Sequence, residues 1–536
     1  MGHLGDRVPL LSGDAVGRRR FLSGVAAVGA AAGAGSLLAA CGTSSKSPAP
    51  VAARAASQKR GGSLKVGLSG SSGHDTLDPH QGLTYLDTGR AQSLYQPLVQ
   101  LNTNAQIEYV LAEENGIQPH GSNSQWIIKL RPDVTFHDGK SLTADDVIFT
   151  FRRIKTSGFA GSNSLGPMDL GGLKALDKHT VQVPMTKPYG SFVEQLAYWY
   201  YLYIVPAGYN PAVRPNGTGP FMYQSFTPNE RSVFIRNPNY WKPGLPYVDT
   251  LTIIDFPDNI SLQDALITGV IDAAGALEGP QLAALANTAG VKTVASHTGS
   301  ITPFTMRVDQ APFNHVNVRQ AMRLLVDRQQ LIDSALDGYA VVGNDVFSPY
   351  DPDYNHSLRR EADIPKAMFL LKQIGMSDLK VTLTTSAVAT GTVAMATVLK
   401  QQAKAAGVTI NISNVGPDTF FGPNYTKWTF SQDFYNYSPY LAQVAQSMLQ
   451  VSPFNETHTN NPQLNNWYKE ANETLNSGIR KEIVRDMQDF DFTQGGYIIP
   501  AYIDALDAYS TKITGYSTAR VGQPLTDLSF EQYSFV

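Results

Sequence analysis

The sequence predicts an α/β protein of more than one lobe, and three observations carry that prediction. Its 536 residues exceed what a single hydrophobic core organises. Short β-type runs bounded by glycine, proline and aspartate recur between segments of helical periodicity. Residues 380–385, a helix to Gly407 and residues 408–412 form a strand-helix-strand order, the unit of an α/β lobe. Composition narrows the class further. With 42% hydrophobic and 16% charged residues the chain is globular rather than disordered or fibrous. A net charge of −3 leaves no electrostatic footprint for nucleic acid. The single cysteine excludes an intramolecular disulfide and a cysteine-rich metal site.

Taken in order, the chain opens on an export pattern. Arg18, Arg19 and Arg20 precede an Ala/Gly-rich apolar run to Ala40, the layout of a twin-arginine signal. The run ends in Leu38-Ala39-Ala40-Cys41-Gly42, which resembles a bacterial lipobox and gives the lone cysteine a lipid-bearing role. The alternative is an uncleaved membrane helix over residues 21–40, against which the small residues before Cys41 argue. A diacyl anchor would hold the protein at the outer face of the cytoplasmic membrane without a spanning helix. Residues 42–60, rich in Ser, Ala and Pro, read as a flexible tether.

Folded sequence starts at Gly61 with a strand, followed by a Gly/Ser loop and His74-Asp75-Thr76-Leu77-Asp78-Pro79-His80. Two histidines beside two aspartates raise a metal reading, but Asp78-Pro79 is a turn opener and no H-E-x-x-H spacing exists, so no metal is expected. Residues 126–154 raise an acid/base reading through His137, Asp138, Asp145 and Asp146. A simpler account fits each position: strands at 127–130 and 134–136, turns at Pro132-Asp133 and Asp138-Gly139, then a helix capped by Thr143 with Asp146 three residues on. The aromatic run over 198–203 suits a cleft or a core equally. Gly217-Thr218-Gly219-Pro220-Phe221 lacks the Gly-Lys-Ser/Thr ending of a phosphate loop, and Pro220 removes a donor, so it reads as a turn into a strand over 221–226. A strand over 248–256 and a short helix over 262–269 that stops at glycine follow. Residues 315–336 read as helix, with Ala321, Leu324, Leu325 and Ile332 on its apolar face.

The order of these signals resembles the peptide/nickel (family 5) extracellular solute-binding proteins of ABC importers. It runs through Leu77-Asp78-Pro79, Leu130-Arg131 to Phe151, Gly217 to Phe221, Arg236-Asn237-Pro238-Asn239-Tyr240-Trp241 and Gly269-Val270-Ile271-Asp272. It continues through Pro312-Phe313-Asn314-His315 to Ala321, Ile332-Asp333 to Gly338, Asn461-Pro462 and Ile498-Ile499-Pro500. The resemblance implies a two-lobed, hinged, periplasmic-binding-protein-like fold with an extra subdomain inserted in the first lobe. It places lobe one in 61–100, 218–308 and 503–536, the subdomain in 101–217, and lobe two in 309–502, with hinges near 306–309 and 499–503. It implies a monomer that captures a solute, above all an oligopeptide, and hands it to a membrane permease with separate ATPase subunits; an oligosaccharide or metal chelate is the alternative cargo.

Peptide-binding members hold a terminal amine with an aspartate that follows a tryptophan by three positions. Here an ungapped count places Tyr437 at the aspartate and Phe434 at the tryptophan, and only a two-residue shift lets Asp433 serve. A buried ammonium without a carboxylate is unfavourable by several kcal/mol. The expected ligand residues are therefore Asp433, Tyr435, Asn436 and Tyr437, faced by Ser71, Ser72, His74 and Asp75 of the first-lobe loop. Tyr435 and Tyr437 alternatively pack a lobe interior. No catalysis and no cofactor are expected: there is no G-x-S-x-G elbow and no zinc helix motif, and lipidation uses the only cysteine.

Overall fold

The computed structural model describes residues 58–536 apart from 71–74, 83 and 199–200. Arg18, Arg19, Cys41, Ser71, Ser72 and His74 lie outside the described residues. Three sheets organise the rest. The largest has eight strands, in the order Val291–Ile301, Ala501–Ser510, Ala273–Ala274, Ser63–Ser69, Thr250–Phe256, Arg231–Arg236 and Phe221–Thr227, with Ala340–Val342 added beside Ala501–Ser510. Its centre is parallel, because Ser63–Ser69 runs with both Thr250–Phe256 and Ala273–Ala274. Central parallel strands are covered on both faces. Leu64, Val66 and Leu68 are fully buried accordingly.

The second sheet has five strands, in the order Thr409–Asn414, Lys380–Thr385, Phe430–Gln432, Phe304–Met306 and Tyr497–Ile498. Lys380–Thr385 and Thr409–Asn414 are parallel across the helix Thr392–Ala403, the unit the sequence predicts. The third is an antiparallel four-stranded sheet of Ala112–His120, Ser122–Leu130, Thr180–Pro184 and Lys174–Asp177, against which the helix Ala144–Thr156 packs Val147, Phe151 and Ile154. Mixed α/β lobes on separate sheets agree with the predicted fold class.

Besides the excursion of Ala340–Val342 onto the largest sheet, the chain passes between the first two sheets at two proline-containing links. Strand Val291–Ile301 gives way to Phe304–Met306 at Thr302-Pro303, and Tyr497–Ile498 gives way to Ala501–Ser510 at Ile499-Pro500. A proline stands at each of these two links, where its missing N–H removes one donor from the pairing. The first passage precedes the expected hinge at 306–309 by a few residues.

Local differences from the sequence reading have identifiable causes. Residues 315–336 form two helices, Val316–Leu324 and Arg328–Ala335, because the Asp327 carboxylate caps the second by accepting from the Gln330 N–H at 3.0 Å. Residues 134–136 make no strand beyond an isolated bridge from Thr135 to Ser141, since the turn at Asp138-Gly139 folds the segment onto itself. Ala340–Val342, although inside 309–502, hydrogen-bonds onto the eight-stranded sheet.

Among the described residues that raised chemical readings, Asp78, His80, His137 and Asp146 are held by the scaffold. The Thr143 N–H and hydroxyl both donate to the Asp146 carboxylate, at 2.8 and 2.7 Å, and the Ala207 N–H donates to its other oxygen. His137 bridges the Gly217–Gly219 turn, its Nε2 3.1 Å from the Gly219 carbonyl. Asp78 accepts two hydrogen bonds from the Arg153 guanidinium and one from Gln81.

His80 is 1% exposed, with its Nε2 2.8 Å from the Tyr203 carbonyl and its Nδ1 against Arg153. Burial, reinforced by the neighbouring guanidinium, pulls its pKa down to about 4. A depressed histidine contributes nothing adverse above its ordinary value near 6.5. As pH falls from there towards 4 the unfolded chain takes up a proton that the folded chain refuses, so stability is lost. The expected loss is up to about 3 kcal/mol. It should appear in urea midpoints compared at pH 7 and 4.5 and be absent from His80→Gln; an identical pH slope in both proteins would remove His80 as its source.

Candidate functional site

The passage between the sheets is also where the chain leaves a cleft. Beyond strand Phe430–Gln432, residues 433–437 run alongside residues 301–303 and Val521. The Asp433 N–H donates to the Pro303 carbonyl, Tyr435 and Ile301 exchange N–H···O bonds at 2.9 Å, and the Tyr437 N–H donates to the Val521 carbonyl. Alternation along such backbone sends odd and even side chains to opposite faces. Phe434 is therefore 40% exposed while Asp433 and Tyr437 are buried.

The cleft is lined by Phe434, Tyr435 and Asn436 from this segment, by Thr298, Ser300 and the paired Ile301, and by 503–506, with Tyr85, Gly522 and Pro524 completing its wall. It encloses about 90 Å³ and adjoins a second cavity of about 290 Å³ that shares Ala389, Thr390, Ile503, Asp504 and Leu506. Small-solute sites occupy roughly 300–1,000 Å³. The two adjoining cavities together reach that scale.

Of the residues expected to hold ligand, Tyr435 and Asn436 line the cleft. Asp433 stands behind its wall. The Tyr425 hydroxyl donates to its Oδ2 and the Phe434 N–H to its Oδ1, both at 2.7 Å, and it hydrogen-bonds Glu456, which also accepts from the Tyr435 and Tyr497 hydroxyls. Burial pushes both carboxyls above the usual carboxylate range, so the pair retains a proton. Tyr437 packs between Gly299, Val521 and Tyr350 rather than opening onto the cavity. Asp75 has a fully buried side chain in an ion-pair cluster with Arg90, Asp87 and Asp255.

One cleft residue was not anticipated. Asp504, in the strand Ala501–Ser510, lines both cavities, and its Oδ1 lies 2.9 Å from His297 Nδ1. Burial raises its carboxyl, and His297 partly offsets that. The available signal was an acid in an otherwise mostly apolar strand that follows the Ile498-Ile499-Pro500 passage. Periodicity does not say which face of that strand meets a cavity.

Comparison with known proteins accords with this geometry. The glutathione-binding protein GsiB of Pectobacterium atrosepticum is 26% identical over 484 residues, covering 85% of this chain and 91% of its own. Among solved structures, the periplasmic binding protein DppA from Helicobacter pylori in complex with the peptide STSA superposes with a TM-score of 0.75 at 19% identity, covering 89% of this chain and 98% of its own. NikZ from Campylobacter jejuni in complex with Ni(L-His) superposes with a TM-score of 0.74 at 18% identity, covering 88% and 99%. These two likenesses speak for the fold. The model of the bacterial extracellular solute-binding proteins, family 5, matches residues 106–465, and the chain belongs to that family.

Proposed function

We propose that this protein captures a short peptide in the cleft between its lobes and delivers it to an ABC permease driven by separate ATPase subunits. The observation that carries the reading is the cleft itself: Phe434, Tyr435 and Asn436 stand beside Thr298, Ser300 and Ile301 along one cavity that offers hydrogen-bonding side chains and an aromatic wall. Such a surface suits a peptide main chain. GsiB and DppA, named for glutathione and peptide ligands, support the class.

The proposed organisation is lobe one in 61–100, 218–308 and 503–536, an inserted subdomain in 101–217, and lobe two in 309–502. The three sheets support that division, with Ala340–Val342 as an arm of lobe two laid on lobe one. Closure about the two passages would favour the state that buries the solute. Tyr435, Asn436 and Phe434 would contact it, and Asp433 would set the pose of the segment that carries them. The loop with Ser71, Ser72 and His74 would form part of the opposite wall.

We further propose export through Arg18 and Arg19 and a lipid anchor at Cys41, with the protein a monomer at the outer face of the cytoplasmic membrane. Among the described residues no helix is long and apolar enough to cross a membrane. A second reading, a metal chelate or another non-peptide solute, draws on the burial of Asp433 behind the wall and on NikZ.

Intact-mass and native mass spectrometry of protein extracted from membranes without refolding tests these readings together. The expected result is an acylated chain beginning at Cys41 that carries a ladder of peptide masses. A single non-peptide mass favours the second reading, and an unacylated N-terminus removes the anchor.

A further inference from the structure

We propose that Asp504 is the residue that receives a cationic amine of the solute, with His297 as its resident partner; this rests on the solute-capture reading above and narrows it to ammonium-bearing ligands. Asp504 is the one charged side chain among the described residues that line the cavity at the lobe passage. Its side chain is 2% exposed. Among the described residues its ion-pair partner within 4 Å is His297, whose own side chain is 68% exposed.

Backbone geometry fixes the pair. His297 and Asp504 stand directly opposite in the ladder between Val291–Ile301 and Ala501–Ser510, and a bulge follows at once between His297 and Ser300. Bulges re-aim side chains next to binding sites. Here the Thr298 hydroxyl is tied to the Ile503 carbonyl at 2.5 Å and the Ser300 N–H to the Thr298 hydroxyl at 2.9 Å, which holds the neighbouring wall in place.

Glu278 and Asp337 line only the adjoining cavity, and two further acids near this one are already engaged. Asp433 accepts from Tyr425 and its neighbouring N–H and shares a proton with Glu456, while Asp75 is paired with Arg90. A carboxylate withdrawn from water is strongly unfavourable unless paired and hydrogen-bonded, and the incoming ammonium supplies both. The amine could be a peptide N-terminus or that of a non-peptide solute. The chemistry at Asp504 is the same for both.

Calorimetric titration of wild type, Asp504→Asn and His297→Gln with trialanine, N-acetyl-trialanine and 1,5-diaminopentane tests the inference, with melting midpoints confirming that each variant folds. Wild type should prefer trialanine to its acetylated form by about tenfold or more, the scale of one hydrogen bond to a charged group. Asp504→Asn should erase that preference and His297→Gln should keep it. Binding of diaminopentane but neither peptide, lost in Asp504→Asn, would retire the peptide reading and keep Asp504 as the amine receptor. Equal wild-type affinity for free and acetylated trialanine would overturn the inference and leave peptide capture standing. An amine preference that survives in Asp504→Asn, or binding of none of the three probes, would also overturn it.

Discussion

Asp345→Ala is expected to destabilise the protein by about 3–5 kcal/mol, the range for removing one partner of a buried ion pair. The Asp345 side chain is fully buried and accepts from Arg328 Nη2 at 2.9 and 3.0 Å, from Arg360 Nε at 3.0 Å and from the Ile499 N–H at 3.0 Å, with Arg323 at 3.9 Å. Burial alone would raise its carboxyl, but Arg328, Arg323 and Arg360 outweigh burial and hold it below the usual range. Removing it leaves three guanidinium groups around an empty site and releases the Ile499 N–H at the second lobe passage. Asp345 also has φ of +62°, where aspartate and asparagine are better tolerated than alanine. Asp345→Asn separates the backbone effect from the rest, since it keeps the volume and the φ preference while losing the charge and turning one acceptor oxygen into a donor facing the guanidinium groups. The check is the urea midpoint together with hydrogen exchange at Ile499; a loss below about 1 kcal/mol, the level of an exposed pair, would show that water replaces the carboxylate.

Gly299→Ala should weaken solute binding by roughly 5–150-fold with little loss of fold. A Cβ at Gly299 would lie 2.4 Å from the Tyr437 ring. Gly299 belongs to the eight-stranded sheet, and Tyr437 follows a strand of the five-stranded sheet. Overpacking costs about 1–3 kcal/mol. In the closure proposed above this clash burdens the closed state alone, which gives the stated factor at about 1.4 kcal/mol per decade. Small-angle scattering of the variant should show a larger radius of gyration, and adding Tyr437→Ala should restore both size and affinity. If the single variant instead melts early with normal affinity, the strain is relieved inside a lobe and Gly299 does not gate closure.

How far the sequence foretold this depends on whether the deciding contact is local. Thr143 with Asp146, and Asp327 with Gln330, act within one helical turn; the first cap was legible from spacing, while the second, hidden inside an apolar pattern, divided a predicted helix in two. The parallel unit of 380–414 was legible because its strands and helix each carry their own periodicity. The cleft was not. Tyr435 and Asn436 were found from their place in the chain, yet whether Asp433 faces ligand or interior is set by the phase of alternation, and that phase is fixed by pairing with Ile301 across more than a hundred residues. Asp504 was missed for the same reason, since its significance arises only when Val291–Ile301 is laid beside it.

Pro303 and Pro500 carry a mechanical consequence. Neither has an N–H to contribute, so each passage lacks one donor, while the Pro303 and Pro500 carbonyls still accept from the Asp433 and Gly343 N–H groups. The two sheets are joined there both by the chain itself and by backbone pairing, of 433–435 with 301–303 and of Ala340–Val342 with 501–503. A rotation about both passages therefore has to carry these cross-sheet hydrogen bonds along or break them. The stiffness of each passage is then set by that pairing as well as by the backbone angles of the connecting residues.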